Sequence, residues 1–317
     1  MISLQDVQQA QARISPHIVR TPLLRVPALD ELLHCQVYLK FEGFQIMGAF
    51  KIRGAMNKAL SLSPQELQRG LVCSSSGNHA QGVACAAQRL GTKAVIIMPA
   101  DANPVKLEGV KSFGGFVELL DMLSSVREAR ASELAEKEGM VLVHPYADPY
   151  VAAGQGTIGL EILEDLPDVD AVAVPIGGGG LISGIATAIK GLKPDTKTIG
   201  VEPAGAPRYS VSRASGVPEV LTKVNTIADA TRTDKANPDN FEMIQARVDE
   251  LRTVEDDQIR QAMKLLMEKA KLLVEPSSSM PVAAALAGNL PVTKDQKVVF
   301  VLTSGNVDPV LAAELLK

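Results

Sequence analysis

VAVPIGGGGLISGIATAIK, residues 172–190, contains an apolar strand pattern, four consecutive glycines and an apolar helix pattern. A strand without polar alternation is typical of a parallel sheet that is covered on both faces. Gly177, Gly178, Gly179 and Gly180 let backbone amides approach an anion, and the helix start adds N–H groups and a positive dipole end. The stretch therefore predicts an α/β fold with a phosphate-binding turn, although it lacks the P-loop pattern.

Short apolar runs alternate with helical patterns along the rest of the chain. The predicted strands are QVYLKFE, GLVCSS, AVIIMP, GFVELLD, MVLVHPY, AVAVPIG, KTIGVEP and KVVFVLTS. The predicted helices are NHAQGVACAAQRLG, SVREARASELAEKEG, GQGTIGLEILEDLP, GLISGIATAIKGL and EDDQIRQAMKLLMEKAKL. This alternation predicts an α/β protein with mostly parallel sheets flanked by helices, in which residues 204–240 form a long, less regular connection.

Composition excludes several classes of protein. Hydrophobic residues make up 46% of the chain, which is enough for a sizeable core, and the net charge is -4 without any basic run, which argues against nucleic-acid binding. No apolar run approaches the ~18 residues of a membrane span, and the N-terminus lacks the features of a signal peptide. With three cysteines at no metal-type spacing (Cys35, Cys73 and Cys85, expected to be buried and inert), a cytoplasmic protein is expected.

A polar cluster follows another predicted strand. In CSSSGNHAQGVACAA, residues 73–87, hydroxyl and amide side chains lie where a helix begins. One of them should cap that helix, and together they could hold a substrate carboxylate near its positive end. His79 has no second histidine nearby, so we favour a packed or hydrogen-bonded role over metal binding.

Lys51 lies in FEGFQIMGAFKIRGA, residues 41–55, behind small and aromatic residues at the entrance to a helix. A desolvated lysine has a lowered pKa and becomes nucleophilic. A nucleophilic lysine combined with a phosphate-binding turn suggests pyridoxal phosphate, a cofactor that needs both. Taken alone, Lys51 would be explained more simply as a solvated charge at a helix end.

A fourth motif, VVFVLTSGNVDP at residues 298–309, ends a predicted buried strand in polar residues that include Thr303. Ligands of open α/β sheets bind at the carboxyl ends of parallel strands, so these hydroxyls are candidate site residues. A plain strand-ending turn is the simpler alternative.

These motifs resemble, in order and over essentially the whole chain, the fold-type II pyridoxal-phosphate enzymes of the serine/threonine dehydratase and serine racemase group. GAFKIRGA resembles the family's Schiff-base segment, SSGNHAQGVA its asparagine loop and PIGGGGLISG its phosphate cup. HPYADPYVAAGQGTIGLEI, KLLVEPSSSMPVAAAL and LTSGNVD resemble three further stretches. The resemblance implies a two-domain fold like that of tryptophan synthase β, with a large domain of residues 1–67 and 148–317 and a small mobile domain of residues 68–147.

The resemblance also implies roles by position. Lys51 would form the Schiff base and act as a base, Phe50 would pack on the ring, and Thr303 would face the pyridine nitrogen. The phosphate would be bound by Gly177, Gly178, Gly179, Gly180 and Leu181. The substrate carboxylate would be bound by Ser75, Ser76, Gly77, Asn78 and His79. Asn78 would also hydrogen-bond the 3′ oxygen of the ring, and Ser76 is a candidate for a second catalytic residue opposite Lys51.

The chain departs from the family pattern beside Lys51. Gly43, Met47 and Ala49 replace residues that are usually Asn, Thr and Ser, and EPSSSMP replaces EPxGAxG. We infer a less polar substrate pocket, which could take a β-hydroxy amino acid larger than serine, such as an aryl-serine.

A second departure concerns metal binding. Serine racemase-like members bind a divalent cation through a Glu, a carbonyl and an Asp, and here the corresponding residues are Glu202, Ala206 and Arg208. A guanidinium cannot bind a cation and could take its place in a salt bridge, so no such metal is expected.

The resemblance leaves three functions open. The first is a dehydratase (ammonia-lyase) that converts a threonine- or serine-type amino acid to a 2-oxo acid and ammonia by β-elimination. The second is an amino acid racemase with eliminase side activity, and the third is a non-catalytic protein that binds pyridoxal phosphate or senses a ligand. A homodimer with a small-molecule substrate is implied in each enzymatic case.

Overall fold

The computed structural model describes residues 1–102, 104–120 and 124–315, in which two sheets are surrounded by helices. Numbered in chain order, the strands of the larger sheet lie in the spatial order β1 (Leu23–Arg25), β2 (Gln36–Phe41), β10 (Lys297–Leu302), β7 (Ala171–Pro175), β8 (Lys197–Pro203) and β9 (Glu250–Val254). β1 pairs antiparallel with β2, and the other neighbours are parallel. The predicted α/β class with mostly parallel sheets is thereby confirmed.

The smaller sheet contains four parallel strands. Their spatial order is β5 (Phe116–Leu120), β4 (Ala94–Pro99), β3 (Leu71–Ser74) and β6 (Val141–Leu142). All four lie inside the predicted small domain, but α3 (Lys51–Leu60), from the predicted large domain, packs with Ile52 and Met56 against Val83 of α5 (Asn78–Arg89). The domain boundaries therefore stay a prediction.

The other helices connect and cover these strands. They are α1 (Leu4–Ile14), α2 (Asp30–Leu33), α4 (Pro64–Arg69), α6 (Pro104–Ser112), α7 (Ser124–Glu138), α8 (Pro149–Asp165), α9 (Gly180–Leu192), α10 (Arg208–Ser215), α11 (Pro238–Arg247), α12 (Asp256–Leu265), α13 (Pro276–Leu286) and α14 (Pro309–Leu315). In the described part of the chain, no helix is long and apolar enough to cross a membrane. Cys35, Cys73 and Cys85 are buried free thiols, as predicted.

Apolar composition explains which strands lie at the centre. Every residue of β7 is buried, and β10 is buried from Val298 onward, because both faces of these strands are covered. Sequence reasoning missed β9, whose residues are only partly buried up to Val254 and include charged side chains. Charged residues are typical of edge strands and hide the apolar signal on which strand prediction depends.

A buried ion network joins the start of α3 to its surroundings. The Arg53 guanidinium contacts Glu42 through Nε–Oε2 at 2.7 Å and Glu161 through Nη1–Oε1 at 2.6 Å. Lys40 Nζ completes the network by contacting Glu161 Oε2 at 2.6 Å and donating to the Thr21 carbonyl at 2.6 Å. A buried charge is tolerated only when it is paired, so β2, α3 and α8 are held in one arrangement.

We expect Arg53→Met to lower the free energy of unfolding by about 3–5 kcal/mol, because two buried carboxylates would lose their cation. The matched control is Arg20→Met, since the side chain of Arg20 is 47% exposed and also contacts two carboxylates, Glu164 and Asp165. That variant should lose less than about 1 kcal/mol. Urea unfolding followed by circular dichroism measures both, and equal losses would contradict the role assigned to Arg53.

Candidate active site

A cavity of about 450 Å³ opens where β3, β7 and β10 end. The structure brings all of the predicted site residues together in its lining: Phe50, Lys51, Ser75, Ser76, Gly77, Asn78, His79, Gly177, Gly178, Gly179, Gly180, Leu181 and Thr303. Carboxyl ends of parallel strands are the usual place for a ligand in an α/β protein, because loops and helix starts converge there.

Lys51 is the first residue of α3, and its amine lies inside the cavity. The preceding segment is fixed to the end of β10, since the Phe50 amide donates to the Thr303 carbonyl at 3.1 Å. Lys51 Nζ donates to the Pro145 carbonyl at 2.8 Å and lies 5.2 Å from the centre of the Phe50 ring. Burial lowers the pKa of Lys51 to about 8, against an opposing effect of Glu275. A neutral, nucleophilic amine is therefore accessible near physiological pH.

The glycine loop, Gly177–Gly180, forms a second wall. A Cβ on Gly178 would lie 2.1 Å from the Tyr146 ring, and Gly179 has φ +89°, so side chains are excluded at both positions. α9 begins at Gly180 and adds the N–H groups of its first turn. Closely approachable amides at a helix start are the donor set that a phosphate group requires, and the wall fits such a group.

The Ser/Asn loop, Ser75–His79, forms the opposite wall. The prediction that one of its side chains caps α5 is wrong: Gly77 is the N-cap residue and no side-chain cap hydrogen bond is present. Gly77 itself has the non-helical backbone of a cap, so the serine hydroxyls are not used to end the helix. Ser75 and Ser76 are consequently available to a ligand at the helix start.

His79 is buried and neutral. Its Nε2 lies 2.8 Å from the Val143 carbonyl, which requires the proton to be on Nε2, and burial lowers its pKa to about 3. Nδ1 then presents a lone pair without a protein partner. His79 can accept a hydrogen bond from a ligand, but it cannot donate one to a carboxylate from this atom.

Asn78 connects the loop to two residues that were not predicted. Its Nδ2 donates to Glu275 at 3.0 and 3.1 Å, and its Oδ1 accepts from Asn306 Nδ2 at 2.9 Å. Burial raises the pKa of Glu275 to about 7, with a further contribution from Asp229. A carboxylate that directly follows the apolar run LLV and precedes a helix-starting proline was the sequence signal for Glu275.

Thr303, at the end of β10, has a hydroxyl neighbour and no carboxylate contact within the described residues. Its Oγ1 lies 2.9 Å from Ser278 Oγ, which accepts from the Ser304 amide at 2.7 Å. Ser278 comes from the unusual EPSSSMP segment, so this change in the family pattern adds a hydroxyl beside Thr303 rather than removing one.

Several other buried polar atoms in the cavity lining have no protein partner. Gln155 Nε2, Thr233 Oγ1 and Ser277 Oγ are unpaired in the structure, as is Nδ1 of His79. Unsatisfied buried donors and acceptors are costly, and their concentration around one cavity indicates that a polar ligand completes them. None of Gln155, Thr233 and Ser277 was predicted, because single polar residues carry no recognisable spacing.

The departures beside Lys51 lie away from the cavity. Met47 and Ala49 are buried in the hydrophobic cluster that contains Ile52, and a Cβ on Gly43 would lie 2.0 Å from the Phe41 ring. None of the three appears in the described lining, so they give no support to a less polar substrate pocket.

The predicted salt bridge of Arg208 is also wrong. Within the described residues no Arg208–Glu202 contact of 4 Å or less occurs; Arg208 instead donates to the Ala206 carbonyl. The Glu202 carboxylate accepts from the amides of Tyr209 at 2.9 Å and Ser210 at 2.7 Å, at the start of α10. The expected lack of a metal at this position stays a prediction.

Comparison with known proteins gives a consistent result. A family model described as pyridoxal-phosphate dependent enzyme matches residues 14–304. The chain is 43% identical over 308 residues to an L-threonine ammonia-lyase of Thermotoga maritima, covering 97% of this chain and 76% of that protein.

Two solved structures extend the comparison. Maize serine racemase superposes with a TM-score of 0.95 at 37% identity, covering 98% of this chain and 96% of the other. A threonine deaminase, its source given as T.th., superposes with a TM-score of 0.91 at 42% identity, covering 97% and 99%. This chain therefore belongs to the pyridoxal-phosphate-dependent enzymes, with the fold-type II architecture of these neighbours and pyridoxal phosphate as its cofactor.

Proposed function

We propose that this enzyme is a dehydratase that eliminates water from a threonine- or serine-type amino acid and releases a 2-oxo acid and ammonia. The observation that carries the proposal is the placement of the Lys51 amine between the glycine loop and the Ser/Asn loop in one cavity. Relatives named threonine ammonia-lyase and threonine deaminase support the same reaction.

The residues that would hold the cofactor follow from the cavity walls. The amides of the glycine loop and of Leu181 would bind its phosphate, Phe50 would pack against its ring, and Thr303 would face its ring nitrogen. Asn78 would donate to the ring oxygen, which requires its amide to be shared with, or released from, Glu275. Bound pyridoxal phosphate withdraws electrons from an attached amino acid and so acidifies its Cα–H bond.

Lys51 would perform the proton transfer at Cα. Its amine is the basic group beside Phe50, and the lowered pKa of Lys51 leaves Nζ able to accept a proton. As the Cα proton moves to Nζ, the β-hydroxyl leaves and is protonated to water. The unsaturated amine that remains hydrolyses in water to the 2-oxo acid and ammonia.

Thr303 would favour elimination over transamination. A hydroxyl cannot supply the full negative charge of an aspartate, so the ring nitrogen is not held in its protonated form. Electron withdrawal by the ring is then weaker, and direct loss of the β-hydroxyl is favoured over a longer-lived negative charge at Cα.

The substrate carboxylate would be bound at the start of α5. Ser75, Ser76, Gly77 and Asn78 line this wall, and the helix dipole favours an anion there. The unpaired Nε2 of Gln155 adds a donor. Because Gly43, Met47 and Ala49 do not enlarge the described cavity, a threonine or serine side chain fits the proposal better than an aryl-serine.

An amino acid racemase is the second candidate function. Ser76 is exposed at the mouth of the same cavity, so its hydroxyl could return a proton to Cα from the side opposite Lys51. The solved structure of maize serine racemase, which is similar over 98% of this chain, favours testing this activity.

We also infer that the smaller sheet belongs to a domain, residues 68–147, that closes over the substrate. An ion pair between Lys106 of α6 and Asp229 of the opposite wall supports a contact across the cavity mouth. Closure would exclude water during the reaction. A cytoplasmic homodimer remains part of this proposal.

The purified holoenzyme should release 2-oxo acid and ammonia from serine or threonine faster than from phenylserine. Lys51→Ala should lower this rate by at least about 10²–10⁴-fold, because the base is lost. Lys58→Ala is the matched control on α3, since Lys58 forms an ion pair with Asp148 away from the site. A preference for phenylserine, or a full rate without Lys51, would argue against the proposal.

Covalent attachment of pyridoxal phosphate to the cofactor-free protein should depend on pH through Lys51. The neutral amine is the reactive form, so the rate should rise roughly tenfold per pH unit in the acidic range and level off above the Lys51 pKa of about 8. Rapid mixing with visible absorbance measures the rate. A rise that continues to pH 10.5, the value for an ordinary lysine, would show that Lys51 is not desolvated.

Ser76→Ala should separate the two activities. We expect racemisation, followed by chiral chromatography of serine, to fall by about 10²-fold or more because one of two acid–base groups is lost. Elimination by the same variant should stay close to the wild-type rate. Ser74→Ala is the control, since Ser74 does not line the cavity; absence of D-serine with the wild type would exclude the racemase.

A further inference from the structure

We propose that Arg208, Tyr209 and Asn240 form a loop clamp, a set of positioning residues that orients the amides of the glycine loop toward phosphate. The proposal deepens the proposed function and rests on the phosphate-binding role of that loop. None of the three side chains lines the cavity, so the clamp acts from the far side of the loop.

Arg208 holds the first carbonyl of the loop. It is fully buried, and its Nη1 donates to the Gly177 carbonyl at 2.5 Å. Its Nη2 donates to the carbonyls of Ala206 and Thr231. The guanidinium thus ties the loop to the segment that forms the adjacent wall of the cavity.

Tyr209 and Asn240 hold the second carbonyl. Tyr209 Oη donates to the Gly178 carbonyl at 2.8 Å, and Asn240 Nδ2 donates to the same oxygen at 2.7 Å. Each partner is fixed in turn, since Tyr209 Oη accepts from the Asn237 amide at 3.2 Å and Asn240 Nδ2 also contacts the Tyr146 carbonyl at 3.1 Å.

Peptide geometry converts these contacts into amide directions. In a planar trans peptide, the C=O and the following N–H point to opposite sides, and no cis peptide occurs in the described residues. Holding the Gly177 and Gly178 carbonyls on the far side therefore turns the amides of Gly178 and Gly179 toward the cavity. In the described part of the chain, no backbone hydrogen bond uses either amide as a donor.

The clamp supplies what the loop lacks. Consecutive glycines have the greatest backbone freedom of any sequence, so the loop cannot select one set of amide directions by itself. A bond from a cation to a carbonyl also polarises the peptide group, which strengthens the N–H on the other side as a donor. Arg208 further places a positive charge behind the phosphate site, without a carboxylate within 4 Å among the described residues.

The test compares binding of pyridoxal phosphate with that of pyridoxal, which lacks the phosphate. For the full-length protein freed of cofactor, Arg208→Met should raise the dissociation constant for pyridoxal phosphate about 10- to 100-fold and leave that for pyridoxal unchanged. Arg208→Lys, which keeps the charge, should recover part of the loss. Tyr209→Phe should weaken phosphate-dependent binding roughly 2- to 10-fold without a change in charge.

Arg213→Met is the matched control. Arg213 is on the same helix and also donates to backbone carbonyls, those of Ile244 and Val248, but it does not contact the loop. It should affect neither ligand. If Arg208→Met and Tyr209→Phe weaken both ligands equally, or neither, the clamp is overturned. If the wild type itself binds pyridoxal as tightly as pyridoxal phosphate, the phosphate-binding role of the loop fails instead.

Discussion

The buried guanidinium of Arg53 is the constraint on which the site depends. It is two residues from Lys51 and is paired on one side with Glu42, after β2, and on the other with Glu161 of α8. Since a buried charge without its partner is strongly destabilising, only one placement of the first turn of α3 satisfies all three elements. The position of the Lys51 amine follows from that placement.

The cavity combines groups that water would otherwise neutralise. Burial favours the neutral form of Lys51, and it also disfavours the charged form of Glu275, whose pKa rises to about 7. Facing them are glycine amides and helix starts, which attract anions without carrying a net charge. Such an arrangement can bind an anionic cofactor beside a reactive amine without a permanent ion pair that would keep the amine protonated.

Polar contacts outside the cavity decide the directions of the groups inside it. Arg208 and Tyr209 anchor loop carbonyls, while Asn306 fixes the amide of Asn78 and connects it to the Met47 carbonyl. These residues are scattered along the chain and none has a recognisable spacing, which explains why reasoning from the sequence did not find their contacts. The same reasoning misjudged Gly77, because a glycine cap leaves the neighbouring hydroxyls free.

The sequence by itself determined the α/β class, the glycine loop, the nucleophilic lysine and the family, because each depends on local pattern: apolar runs, consecutive glycines and short motifs in order. The tertiary structure alone decided that Gly43, Met47 and Ala49 lie outside the cavity, that Glu275 lies inside it, and that Arg208 contacts carbonyls rather than Glu202. Burial and hydrogen-bond direction depend on residues far apart in the chain, and these are set only when the sheets and helices pack.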